Sequence, residues 1–181
     1  MTAKMYISAD EREKDLLNPI IQRIHEIYED RKVKELNLFL TGCAAFNNDS
    51  AVTLHWILTH EKPEHLTLAT FGYGTMAVPE LAIISAGDRR WIRPDAGIRL
   101  VAKFPSKYYT GEPSDEEREK GEELQNNPAY HDQERLLDIV NNFIEVKDCV
   151  NRLISGRDLS SWGFVSGCGL DRELELLPKS A

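Results

Sequence analysis

The stretch ATFGYGTMAVPELAIISAGDRR, residues 69–90, carries the pattern on which the fold turns. Its first three residues close an apolar run that opens at Leu66, and that run predicts a strand over residues 66–71. Gly72 and Gly74 then bracket Tyr73, and Thr75 stands directly before a compact apolar segment that predicts a helix over residues 76–86. Pro79 falls in the first turn of that helix, where its missing N–H costs little. Glu80 falls there too, where the helix dipole favours a carboxylate. Ala86-Gly87-Asp88 reads as a glycine C-cap. An alcohol at a strand-to-helix turn is how several hydrolase folds display a nucleophile, so Thr75 is a candidate for that role.

Outward from this stretch, strands and helices alternate. Residues 5–8 suit a first strand, and Leu16, Leu17, Ile20, Ile21, Ile24 and Ile27 recur at helical spacing, with Asn18-Pro19 as a start or a kink. Residues 36–40 (LNLFL) read as a buried strand, and Asp49 or Ser50 can cap a helix over residues 51–59. Residues 90–92 and 98–104 are further strand candidates. This order predicts an α/β fold with a parallel sheet and crossover helices. Residues 105–129 turn polar, and a long helix is expected over residues 132–154, projecting from the body and packing on a partner through Phe143 and Ile144. The tail is glycine-punctuated and is expected to close on a last apolar strand.

Composition bounds the function classes. A chain of 181 residues suits one domain spanning residues 1–181. Its net charge of −8 argues against a nucleic-acid partner, and Arg89, Arg90 and Arg93 form too small a basic cluster to reverse that. No apolar run approaches the roughly 20 residues a bilayer span needs, and no secretory h-region is visible, so a cytoplasmic location is expected. Three irregularly spaced cysteines, Cys43, Cys149 and Cys168, fit free thiols in a reducing compartment. The five histidines form no zinc pattern, with His55 and His60 reading as different faces of one helix. GYGT does not extend to G-x-G-x-x-G. No metal and no cofactor are expected.

With these elements in order, the chain resembles the Clp protease proteolytic subunit, in the ClpP/crotonase superfamily, over residues 5–176. The likeness lies in LNLFLTGCAAFNNDSAVTLHWI (residues 36–57), where that family has a strand, a Gly-Gly loop and a helix. It lies also in residues 67–102, where the nucleophile precedes Met-Ala, a helix ends in Ala-Gly, and Pro-Asp precedes a strand. Arg157-Asp158 and Gly169-Leu170-Asp171 fall in family positions as well. The resemblance implies a repeated β-β-α spiral core, with residues 105–155 as a helical, handle-like region. It implies a homo-oligomer, or a hetero-oligomer with ClpP-like subunits, and a peptide or protein ligand.

The family is a serine peptidase with a Ser-His-Asp triad. Carried over, the serine position reads Thr75, the histidine position Val101 and the acid position Ile154. The oxyanion loop falls at Gly42, Ala44 and Ala45, the N–H of Met76 is the other oxyanion donor, and Tyr73 and Gly74 lie at the substrate site. A hydroxyl is a poor nucleophile without a base, and valine cannot be one. Losing one oxyanion donor alone costs roughly 100- to 1000-fold in rate. The expectation is therefore a ClpP-like protein with a degenerate triad, serving as an inactive structural or regulatory subunit of a Clp-type assembly. One alternative is an atypical hydrolase in which Lys103, two residues past Val101 and on the same side of the strand, serves Thr75 as base. Another is a crotonase-like acyl-CoA enzyme.

Overall fold

The computed structural model describes residues 1–8, 17–41, 46–100, 104, 106, 108, 124, 126–149 and 153–165. In chain order its elements are β1 (Thr2–Ser8), α1 (Leu17–Glu29), β2 (Glu35–Thr41), α2 (Asn48–Trp56) with a π-helical turn (Ile57–Glu61), and β3 (Thr67–Tyr73). Then come β4 (Thr75–Met76), α3 (Val78–Ser85), β5 (Arg89–Ile92), β6 (Gly97–Arg99), α4 (Pro128–Asn141), α5 (Val146–Cys149), β7 (Leu153–Ser155) and α6 (Gly156–Ser161). The strands form two sheets: β1-β2-β3-β5, parallel throughout, and β4-β6-β7, with β6 and β7 antiparallel.

Register explains the larger sheet. Met5, Leu38 and Thr70 align across three strands, as do Ile7, Leu40, Gly72 and Ile92. Their apolar members share one buried cluster with Ile24 of α1, Leu54 of α2, Leu81 of α3 and Leu136 of α4. On the opposite face Tyr6, Phe39, Phe71 and Trp91 align, and their rings stack in sequence at 4.6, 4.6 and 4.9 Å. Both faces being occupied explains why β2 is buried from Leu36 to Leu40 without alternation.

Several expectations need correction. β3 runs to Tyr73 rather than ending at Phe71, because Gly72 and Tyr73 still pair with Leu40 and Thr41. Asn47, not Asp49 or Ser50, caps α2: its Oδ1 accepts the Ser50 N–H at 2.7 Å. Helix α3 begins only at Val78, since Thr75 and Met76 are taken into β4. Gly87 is not among the described glycines with positive φ. It is needed for space, because a Cβ there would lie 2.4 Å from Thr70 Oγ1, which donates to the Ile84 carbonyl at 2.8 Å.

The expected long projecting helix is the largest departure. Helix α4 starts earlier, at Pro128 behind an Asn127 cap, and ends at Asn141, whose Oδ1 accepts the Val146 N–H at 3.1 Å and so starts α5. Ile154 lies on a strand, not a helix. The stripe of Leu136, Val140 and Ile144 is spent inside the chain, where α4 packs on α2 and α3. Phe143 meets Phe164 edge-on at 5.7 Å beneath the Arg90 guanidinium, which lies 4.5 Å from the Phe143 centroid. Burial pulls Arg90 below the usual guanidinium range. Ile144 is therefore buried within the chain, while Phe143 packs on Phe164 and Arg90 and stays partly exposed. The expected apolar tail strand, Cys43 and Cys168 lie outside the described residues; Cys149 is a buried thiol.

Candidate functional site around Thr75

The turn that carries Thr75 is shaped by two glycines with different duties. A Cβ at Gly72 would lie 2.7 Å from Ile84 Cδ1 and 2.8 Å from Met76 Sδ, so only glycine lets α3 and Met76 approach β3 this closely. Gly74 has φ +72°, a left-handed conformation that costs other residues about 1–2 kcal/mol. The reversal is pinned by two backbone bonds of 3.1 Å: Arg93 N–H to the Gly72 carbonyl and Gly97 N–H to the Gly74 carbonyl. Thr75 emerges exposed on β4, while Met76 beside it is 1% exposed and points into the core.

Across the smaller sheet, Thr75 aligns with Gly97 and then Ser155, and Met76 aligns with Ile98 and then Ile154. The second row is core; Ile154 is 3% exposed. In the first row Thr75 is exposed while Gly97 and Ser155 are half-buried, and a Cβ on Gly97 would meet Leu153 Cδ1 at 3.4 Å, an ordinary contact. This Thr–Gly–Ser row is the part of the site that the sequence alone did not reveal. The signal was Gly97 next to Asp95 and Ala96, which reads only as a turn until β4 and β7 are known to flank it.

The chemistry this arrangement offers is narrow. Among the described residues, no acceptor or base is hydrogen-bonded to Thr75 Oγ1. The Ala77 N–H at the start of α3 is already used, donating to Glu80 Oε2 at 2.9 Å. Glu80 is buried in the first turn of α3, where the N-terminal dipole holds it in the role foreseen for it. Ser155 and Asp158 cap α6: the Ser155 hydroxyl donates to Asp158 Oδ2 at 2.7 Å, and the Asp158 N–H donates back at 3.2 Å. Tyr73 leans on Phe39, centroids 6.2 Å apart, at the margin of the aromatic row. Gly42, Ala44, Ala45, Val101 and Lys103 lie outside the described residues.

The histidines of the second helix form a pair of their own. The π-helical turn inserts a residue after α2, which winds His60 back toward His55 and qualifies the two-face reading. Burial, with His60 as a second cause, pushes the His55 imidazole down to about 4. His60 Nδ1 lies 2.7 Å from Thr59 Oγ1 and 3.2 Å from the Trp56 carbonyl. Among the described residues no group of three or more His, Cys, Asp or Glu side chains could hold a metal, and no helix is long and apolar enough to cross a membrane.

The sequence matches no protein-family profile and no curated protein. Solved structures do match. A peptidase from Plasmodium falciparum superposes with TM-score 0.64 at 11% identity, covering 92% of this chain and 94% of that one. A point mutant of ClpP1 from Listeria monocytogenes gives TM-score 0.58 at 15% identity, covering 95% and 92%. An enoyl-CoA hydratase from Shewanella pealeana gives TM-score 0.64 at 11% identity, covering 98% of this chain and 68% of the hydratase. The chain therefore has the α/β fold shared by ClpP-like peptidases and crotonase-like enzymes. At these identities the likeness is one of fold.

Proposed function

We propose that this chain is a ClpP-like fold without peptidase chemistry, acting as a structural or regulatory subunit of a Clp-type assembly. The observation that carries the reading is an exposed Thr75 hydroxyl, unbonded among the described residues, beside a core Ile154, the residue to which the family resemblance assigns the triad acid's position. Serine and threonine hydroxyls need an adjacent base to attack a carbonyl near neutral pH. A buried Ile154 cannot orient one, and a carboxylate in its place would be desolvated among Ile98 and Met76. The acid is thus replaced by packing rather than by another polar group. The test is hydrolysis of short acyl-peptide fluorophores by the purified protein beside Thr75→Ala, at high enzyme concentration. The expected result is no turnover by either. Turnover that disappears in Thr75→Ala would establish the hydrolase alternative and send the search for a base to Lys103.

A further inference from the structure

Strand β1 forms one edge of the larger sheet. Among the described strands it pairs with β2 alone, over all seven residues from Thr2 to Ser8 and without a bulge. At the other edge β5 holds four residues. A strand edge presents a row of N–H and C=O groups that can template pairing with another strand. Proteins that keep such an edge solitary shorten it, bulge it, or set proline and charges on it. TAKMYIS has no proline, and Lys4 is its single charge.

The side chains of β1 divide by face. Met5 and Ile7 are buried in the core that α1 shares. Thr2, Lys4 and Tyr6 lie exposed on the ring-bearing face. The ring row changes character where it reaches this edge. Phe39 and Phe71 are 1% and 2% exposed, whereas Tyr6 is 50% exposed. One face of the Tyr6 ring stacks on Phe39 with the planes 11° apart, and among the described residues no ring lies against the other face.

We propose that β1 pairs antiparallel with β1 of a second copy of this chain, about a two-fold axis at Met5, fusing two four-stranded sheets into one continuous sheet. An axis normal to the sheet keeps the ring-bearing faces together, so residues of the same face stand opposite one another. Centring on Lys4 would set two like charges face to face, which is destabilising. Centring on Tyr6 would pair only residues 4–8 of the strand. Centring on Met5 pairs the whole strand: Thr2 with Ser8, Ala3 with Ile7 and Lys4 with Tyr6. In that register a small residue faces a large one on the core side. On the other side Lys4 of the partner subunit comes against the open face of the Tyr6 ring, where a cation is attracted. The strand is complementary to itself, and this favours a second copy over an unrelated strand.

The experiment is sedimentation equilibrium of the full chain over a concentration series, beside Tyr6→Lys and Tyr6→Glu. Both variants remove the same ring from the same half-exposed position, so a loss of fold would be common to the two and is read by circular dichroism. In the Met5-centred register Tyr6→Lys faces Lys4 of the partner subunit with a second cation, and Tyr6→Glu faces it with an anion. The symmetry makes each contact twice. The expected result is a reversible dimer of the unmodified chain, weakened about tenfold or more by Tyr6→Lys and no more than about threefold by Tyr6→Glu, with the gap narrowing in high salt. Backbone hydrogen exchange of the unmodified chain gives a reading that needs no variant: alternate amides of β1 should slow as concentration rises. A monomer at every concentration, equal affinity of the two variants, or β1 exchange independent of concentration would each overturn the proposal. A larger assembly that both variants leave intact would overturn it too, while the Clp-type subunit reading would stand.

Discussion

The two sheets of this molecule are built on different terms. The larger one holds seven-residue registers between β1, β2 and β3, with a helical layer on one face and stacked rings on the other. The smaller one holds β4 by two residue pairs and β7 by three. Yet the candidate site lies on the smaller sheet. Its strands are too short to be stable alone, and they persist because Met76, Ile98 and Ile154 are set into the core that the larger sheet shares. The larger sheet anchors the core, while the small one presents an exposed Thr75 at its edge. On the proposed reading, that division lets the fold stand without peptidase chemistry.

The joint between the sheets is the place to break this arrangement. A Cβ on Gly156 would lie 1.9 Å from the Arg93 carbonyl oxygen, backbone against backbone, where β5 of one sheet meets β7 and α6 of the other. Gly156→Ala should cost about 4 kcal/mol or more, measured by urea denaturation, because neither side can yield. Phe39→Ala removes the central ring of the larger sheet's stack and should cost about 3–5 kcal/mol in the same assay. Gly74→Ala attacks the smaller sheet through its left-handed turn and should cost about 1–2 kcal/mol.

Smaller effects sharpen the contrast. His55 has a folded value near 4 against 6.5 ordinarily, so between those values the unfolded chain binds the extra proton. Stability should therefore fall as pH drops from 6.5 toward 4, and His55→Gln should flatten that limb of a melting-temperature profile. Thr75→Ala, at an exposed position whose hydroxyl is unbonded among the described residues, should leave stability within about 0.5 kcal/mol.

Much of the larger sheet was legible in the sequence because its strands are continuous apolar runs closed by glycine and polar loops. The Leu36–Leu40 and Leu66–Phe71 segments leave little room for another reading. What escaped depended on partners far along the chain. Thr75-Met76 is a strand only because Gly97 and Ile98 lie beside it. The helical period through Leu136, Val140 and Ile144 runs on past Asn141, so periodicity alone could not show that one helix ends there and that the Asn141 side chain accepts the first N–H of the next. The same stripe could as well face a second copy of the chain as its own α2 and α3, and only the tertiary packing decides. At the site, the turn was readable from Gly72 and Gly74, whereas the row through Gly97 and Ser155 needed three strands to be aligned.

The most direct measurement is covalent labelling. The protein and its Thr75→Ala variant would be treated with a fluorophosphonate, beside an active serine peptidase of the same fold, and read by intact mass and peptide mapping. An unactivated Thr75 should give no adduct in either form while the control labels fully. An adduct mapped to Thr75 and lost in Thr75→Ala would contradict the claim that the fold has been kept without its chemistry.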